Sequence, residues 1–252
     1  MGFKIQTEKD LQDLIIPPAI TSIIGKAKIG KSTWASLFPK PVFVWTERGA
    51  AGLKVPKLPP DRPVKDWTEL LSCILQLQTD EHDRCTLVLD TIDVAQRLCM
   101  AHVITEKYGG DAAKFEAYKQ GYVPMRQEFR RLLKGLGQAR DKRNMNIVII
   151  SHEGILRGPN TLGEDYKMLG GNLEPECWKM LRDFSDQIGY AAVKTKAVKN
   201  KIRDIGGSER FLFFGDHPGR EAGCRAGYEM PSEIKLSFDE YAKHMKGILN
   251  NG

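Results

Sequence analysis

The stretch AITSIIGKAKIGKSTWASLF, Ala19 to Phe38, decides the reading of this chain. An apolar run meets a loop with two glycines, then Lys-Ser-Thr, then apolar residues around Trp34. Gly25 to Ser32 fits G-x-x-x-x-G-K-[ST] at every fixed position. Glycines allow the backbone angles that turn successive N–H groups onto phosphate oxygens. Lys31 is spaced to reach the β- and γ-phosphates, and the Ser32 hydroxyl to ligate Mg²⁺. A helix starting near Lys31 is expected to aim its positive end at the anion. A basic turn can carry the same short pattern. The apolar strand before it and the apolar helix after it favour a phosphate cradle. Its members are Gly25, Lys26, Ala27, Lys28, Ile29, Gly30, Lys31, Ser32 and Thr33.

Three further stretches point to the same chemistry. In CTLVLDTID a buried-strand pattern ends at Asp90, placed to hold a magnesium ion together with Ser32. An ordinary strand-terminal aspartate is the alternative, and the presence of both patterns in this order argues against it. Asp93 lies beyond the strand and suits a helix N-cap. In VFVWTERG, Glu47 follows an apolar strand directly, at the edge where open parallel sheets bind ligands. It is a candidate to orient and polarise a water, or else a surface residue before a turn. In NIVIISHEG, His152 ends a strand and is a candidate γ-phosphate contact, or else a capping histidine.

Strands are expected at Ile20–Ile24, Val42–Thr46, Thr86–Asp90, Ile147–Ser151, Gln187–Val193 and Phe211–Phe214. The first four are near-continuous apolar runs, as in parallel strands covered on both faces. Helices fall between them. One opens at DWTELLSCILQL, where Asp66 and Glu69 have capping-box spacing. Others cover DVAQRLCMAHVITEKY and PMRQEFRRLLKGLGQARDK, the latter with an apolar stripe of Met125, Phe129, Leu132, Leu133 and Leu136. The alternation predicts an α/β fold, with a mostly parallel central sheet and helices on both faces. KTKAVKNKIRDIGGSER separates two apolar runs and predicts a C-terminal antiparallel hairpin with a basic tip. The domain expectation is an N-terminal arm over 1–18, a core over 19–240 and a tail over 241–252. The proline-rich KVPKLPPDRP reads as a surface connection inside the core.

The 252 residues can bury a real core, with 41% hydrophobic and 28% charged content. A net charge of +6, from 38 basic and 32 acidic residues, is a mild bias compatible with a polyanionic partner. The five cysteines form no C-x-x-C pair and read as small buried hydrophobes in a reducing compartment. No zinc site, signal peptide or membrane span is expected, so the chain reads as cytoplasmic.

The phosphate loop, the strand-Glu47 pair, LVLDTID and IVIISHE stand in the order seen in RecA-like ATPases. The chain resembles most the phage-borne nucleotide-binding AAA-type family, some of whose members are core-only RecA-like recombinases that assist single-strand annealing. The resemblance covers Ile20 to Leu236. It implies a Mg²⁺-dependent ATPase in which Lys31 and Ser32 bind phosphate and metal. Asp90 would hold the metal, Glu47 be the catalytic carboxylate and His152 the sensor, on a strand between those of the phosphate loop and Asp90. It implies a basic residue acting from a neighbouring subunit. Arg225 matches the family's arginine, although Gly223 stands where a lysine is usual, and Arg220 is the alternative. A homo-oligomeric ring or filament, single-stranded DNA, a single-strand-binding protein and the cytoplasm of an infected or lysogenic bacterium complete the expectation.

Candidate DNA contacts are Lys107, Lys114 and Lys119, interleaved with Tyr108, Phe115, Tyr118 and Tyr122. Those aromatics also have the spacing of a core stripe. Arg157 and Lys167 follow His152, and Lys196, Lys199 and Lys201 sit at the hairpin tip. The competing readings are a helicase-like or loader motor, a P-loop small-molecule kinase and a nucleotide-binding regulator that barely hydrolyses.

Overall fold

A computed structural model describes residues 16–158, 166–198, 201–204 and 209–250. Its central sheet runs in the order β12-β10-β7-β1-β5-β4-β2-β3. The parallel middle is β1 (Ile20–Gly25), β2 (Pro41–Trp45), β3 (Lys57–Leu58), β4 (Thr86–Asp90), β5 (Asn146–Gly158) and β7 (Gln187–Val193). β10 (Arg210–Phe213) and β12 (Glu233–Lys235) extend it antiparallel, and β11 (Gly223–Cys224) pairs with the start of β7. The arms of the expected hairpin are β7 and β10; its basic segment holds a smaller hairpin of β8 (Thr195–Val198) and β9 (Lys201–Asp204). Its tip, with Lys199, lies outside the described residues, as do the side chains of Lys196 and Lys201.

Period-2 alternation splits the central strands between two cores. Val42, Val44, Leu87, Leu89, Ile147 and Ile149 face one side. There they meet α2 (Trp67–Thr79), α3 (Ile92–Tyr108), α5 (Tyr122–Arg143) and α6 (Pro175–Phe184). Phe43, Val88, Val148 and Ile150 face the other, against α1 (Lys31–Ala35) and α7 (Phe238–His244). Each buried aliphatic side chain contributes about 1.5–3 kcal/mol, so the strands, not the loops, fix the frame. The expected stripe on α5 is buried throughout. α2 starts as its capping spacing predicts, with the Glu69 amide donating to Asp66 at 2.8 Å.

Several elements differ from the sequence expectation. β5 does not stop at Ser151. It continues as an arm paired with β6 (Tyr166–Gly171), a strand not among those expected from the sequence. α4 (Ala112–Glu116) carries Phe115 of the core-stripe alternative, whereas α6 and α7 were not anticipated. The expected boundary at 240 falls inside α7. Tyr241 is fully buried, with its hydroxyl 3.0 Å from that of Thr21 and 2.6 Å from Gln187 Oε1. The segment after 240 therefore packs on the core as far as Asn250, whose amide reaches Asn146 Oδ1 at 3.0 Å.

Candidate active site

Strand register brings the functional residues to one edge. Gly25 pairs with His152 and with Ala191, Asp90 with Ile150, and Trp45 with Asp90. The phosphate loop, Glu47, Asp90 and His152 therefore emerge together at the carboxyl ends of four adjacent strands. They line one cavity of about 430 Å³ with Ser32, Thr33 and Arg210.

The loop needs its glycines. A Cβ on Gly25 would lie 2.5 Å from the Ala191 carbonyl oxygen, and Gly30 has φ +110°, where a side chain is strained. Lys31 is buried, and its ammonium donates to the carbonyls of Gly25 at 2.7 Å and Lys26 at 2.8 Å. Burial pushes its pKa down, against the pull of Asp90 and Asp93. α1 spans only five residues. The expected macrodipole is thus short, and an anion here depends on the loop amides and Lys31 instead.

Asp90 is buried, and its Oδ2 has no hydrogen-bond partner. Burial pushes its carboxyl up to about 6; the nearby Ser32 hydroxyl holds it down, and Glu47 raises it. A buried carboxylate oxygen without a partner, beside a serine hydroxyl, fits a hard cation such as Mg²⁺. Ser32 and Asp90 are the residues that could hold it. Neighbouring backbone is braced by Thr46, whose amide donates to Asp90 O at 2.8 Å. The Thr46 hydroxyl accepts from Thr91 N and donates to Thr91 O, both at 2.8 Å. The residue before Glu47 is therefore tied to the one following Asp90.

His152 is held by Asp93. The buried Asp93 carboxylate accepts from His152 N at 3.1 Å and from Nδ1–H at 3.0 Å. That leaves Nε2 facing the cavity, 3.7 Å from Glu47 Oε1. The Asp93 bond raises the His152 pKa, outweighing burial. Burial works against the Asp93 charge, but its bonds from His152 hold the carboxyl below the usual range.

Asp93 suits an N-cap by sequence, but it lies inside the first turn of α3, whose N-cap position is Thr91. Its role was half visible as the second aspartate of LDTID. Arg210 had no sequence signal. It lies some 180 residues downstream of the loop, and its guanidinium comes within 3.0 Å of a Cβ position on Gly30. Arg225 is not brought to this cavity. It lies at the other edge of the sheet, bonded to Asp186 at 2.7 Å and to Asp183 O at 2.6 Å.

Of the DNA candidates, Lys107, Lys114, Lys119, Arg157 and Lys167 are exposed. Phe115 is fully buried, and Tyr108 and Tyr122 pack on it at 5.9 and 5.1 Å between ring centroids, so these three are core. Tyr118 alone among them is fully exposed.

A phosphate loop on β1, with the His152 strand between it and the Asp90 strand, defines a RecA-like P-loop nucleotide-binding fold. The chain belongs to the AAA_24 family, described as an AAA domain, whose model matches residues 18–226. No curated protein sequence matches it. Among solved structures it is similar to the RadB recombinase, at 12% identity over 90% of each chain with a TM-score of 0.49. It is also similar to the flagellar accessory protein FlaH from Methanocaldococcus jannaschii, at 9% identity over 92% of each chain with a TM-score of 0.43. Among the described residues no helix is long and apolar enough to cross a membrane.

Proposed function

We propose that the chain binds and hydrolyses ATP with Mg²⁺ and acts on single-stranded DNA in phage recombination, annealing or replication. The observation that carries this reading is the convergence of Lys31, Ser32, Glu47, Asp90 and His152 on one cavity. The loop from Gly25 to Thr33 cradles the phosphates, and the Lys31 ammonium leaves its two carbonyls for phosphate oxygens. Mg²⁺ bound by Ser32 and Asp90 would neutralise charge on the β- and γ-phosphates. Glu47 orients a water and accepts its proton. His152, fixed by Asp93, presents Nε2 toward Glu47 and the γ-phosphate position. Arg210 adds a positive charge from within the chain.

Support for a nucleic-acid partner comes from the surface. Tyr118 exposes its ring between Lys114 and Lys119, a pairing that suits a stacked base and its phosphates. Arg157 pairs with Lys167 in register across the β5–β6 arm. Like charges directly opposite repel, and a phosphate backbone relieves that repulsion. A homo-oligomeric ring or filament, with Arg225 serving a neighbour, a single-strand-binding partner and a host-cytoplasmic setting remain parts of this proposal. A kinase lid has less support, because Arg130, Arg131, Arg140 and Arg143 lie on α5, whose apolar stripe is packed in the core, and not on a loop.

The test is ATP turnover with and without a single-stranded oligonucleotide. Stimulation by the strand is expected. Turnover indifferent to any nucleic acid would remove the DNA role and leave the ATPase.

A further inference from the structure

On the side of the phosphate loop away from Glu47, a second cavity of about 690 Å³ opens over the ends of β7 and β10. Lys26, Tyr190, Val193, Lys194, Phe213 and Arg220 are among its lining residues. Arg220 is set there by backbone. Its amide donates to His217 O at 3.2 Å, Leu169 N donates to Gly219 O at 2.9 Å, and Glu221 N donates to Leu169 O at 2.7 Å. Its guanidinium lies 4.0 Å from the Phe213 ring centroid and 5.9 Å from that of Tyr190.

Stacking satisfies the face of a guanidinium but not its edge, where five N–H donors lie in the plane. The Arg220 Nε–H is buried with no acceptor. Among the described residues no carboxylate lies within ion-pair distance of Arg220. Glu233, which acts on Arg220, is already engaged by Lys194, and Glu221, next in the chain, by Arg182. Burying such a donor without an acceptor is costly, as is desolvating a charge without a counterion. A preorganised cation with no protein acceptor along its edge is a receptor for a planar or tetrahedral anion. Lys26 and Lys194 add positive charge, against Glu233 alone. Val193, Phe213 and Leu169 give the cavity an apolar wall, and its volume is of the size that holds a nucleotide unit.

We propose that Arg220 anchors a second phosphate site, separate from the triphosphate cradle, which takes a phosphodiester of a nucleic-acid strand. The strand as source rests on the nucleic-acid reading above; the phosphate-class site does not. The same chemistry would accept free inorganic phosphate, so the experiment separates the two.

Full-length wild type, Arg220→Ala and Arg220→Lys are titrated with a labelled oligo-dT by fluorescence anisotropy, without nucleotide, across a salt series. The Arg220 Nε–H cross-peak of the wild type, assigned by its loss in Arg220→Lys, is followed with oligo-dT and with inorganic phosphate. The expected result is an affinity loss of about three- to tenfold in Arg220→Ala, with a salt slope lower by about 0.7 for one lost phosphate contact. Arg220→Lys falls between, and the cross-peak moves with the strand. A cross-peak moved by phosphate but not by the strand keeps the anion site and overturns the strand assignment. If the wild type binds no strand but phosphate moves the peak, the nucleic-acid reading fails and the site survives. A peak unmoved by either, with strand affinity equal in all three proteins, overturns the proposal. So does loss of DNA-free ATP turnover in Arg220→Lys with strand binding intact, which would make Arg220 a nucleotide-site residue. The wild-type cross-peak decides even if Arg220→Ala is poorly folded.

Discussion

Replacing Asp93 by Asn keeps the shape of the side chain and removes its charge. One amide oxygen can still accept from His152 N. The amide NH₂ then faces Nδ1, so the ring must offer a lone pair there and carry its proton on Nε2. Wild type instead has Nδ1–H donating to a buried carboxylate at 3.0 Å. A hydrogen bond to a charged group contributes about 1.5–3 kcal/mol, so Asp93→Asn should lose about 2 kcal/mol. The pH window follows from both partners. The raised His152 pKa gives stability that is full below its unfolded value of about 6.5 and is lost as pH rises through the folded value. The depressed Asp93 pKa gives stability present above about 3.9 and lost as pH falls. The difference between wild type and Asp93→Asn should therefore be largest between these limits and shrink toward pH 9. Urea unfolding at several pH values measures it, and NMR titration of the His152 ring gives the pKa directly. The His152 pKa should fall in Asp93→Asn. Turnover should drop by about 10- to 100-fold, mainly in kcat, because a misplaced group near the reacting atoms is costly. A His152 pKa that is the same in both proteins would show that Asp93 does not hold the ring.

Glu47→Gln should bind ATP as wild type does and lose turnover by at least about 100-fold, measured by calorimetry beside phosphate release; retained turnover removes Glu47 from the chemistry. Gly25→Ala forces a Cβ to within 2.5 Å of Ala191 O and should cost about 2–3 kcal/mol with weakened ATP binding. Gly223→Ala, with nothing within 4 Å, should be near neutral in the same thermal-melt assay. Arg225→Ala should cost about 1–2 kcal/mol in urea unfolding, discounted because Arg225 is half exposed and because Ile20 N and Arg140 still hold Asp186.

β1, β2, β4 and β5 were legible because they are buried on both faces and read as near-continuous apolar runs; β3, two residues inside the proline-rich connection, was not. The phosphate loop, Asp90, Glu47 and His152 were legible because each is a polar residue set against the end of such a run. The β5–β6 arm was not, since glycines at 154, 158, 170 and 171 look like loop until pairing between distant segments is known. α7 was hidden by its shortness, although Tyr241 locks it to Thr21 and Gln187. The link from Asp93 to His152 spans 59 positions, and Arg210 meets Gly30 from the far side of the chain. Both depend on strand order, which local pattern does not carry.

The central claim is that the Gly25–Thr33 loop, Lys31 and the Ser32–Asp90 pair together hold a magnesium nucleoside triphosphate. Isothermal titration of a non-hydrolysable ATP analogue with Mg²⁺ into wild type, Lys31→Ala and Asp90→Asn tests it most directly. Wild type should show one site per chain, Lys31→Ala an affinity lowered at least about tenfold, and Asp90→Asn a loss of the magnesium dependence. Equal affinity and equal magnesium dependence in all three proteins would contradict it.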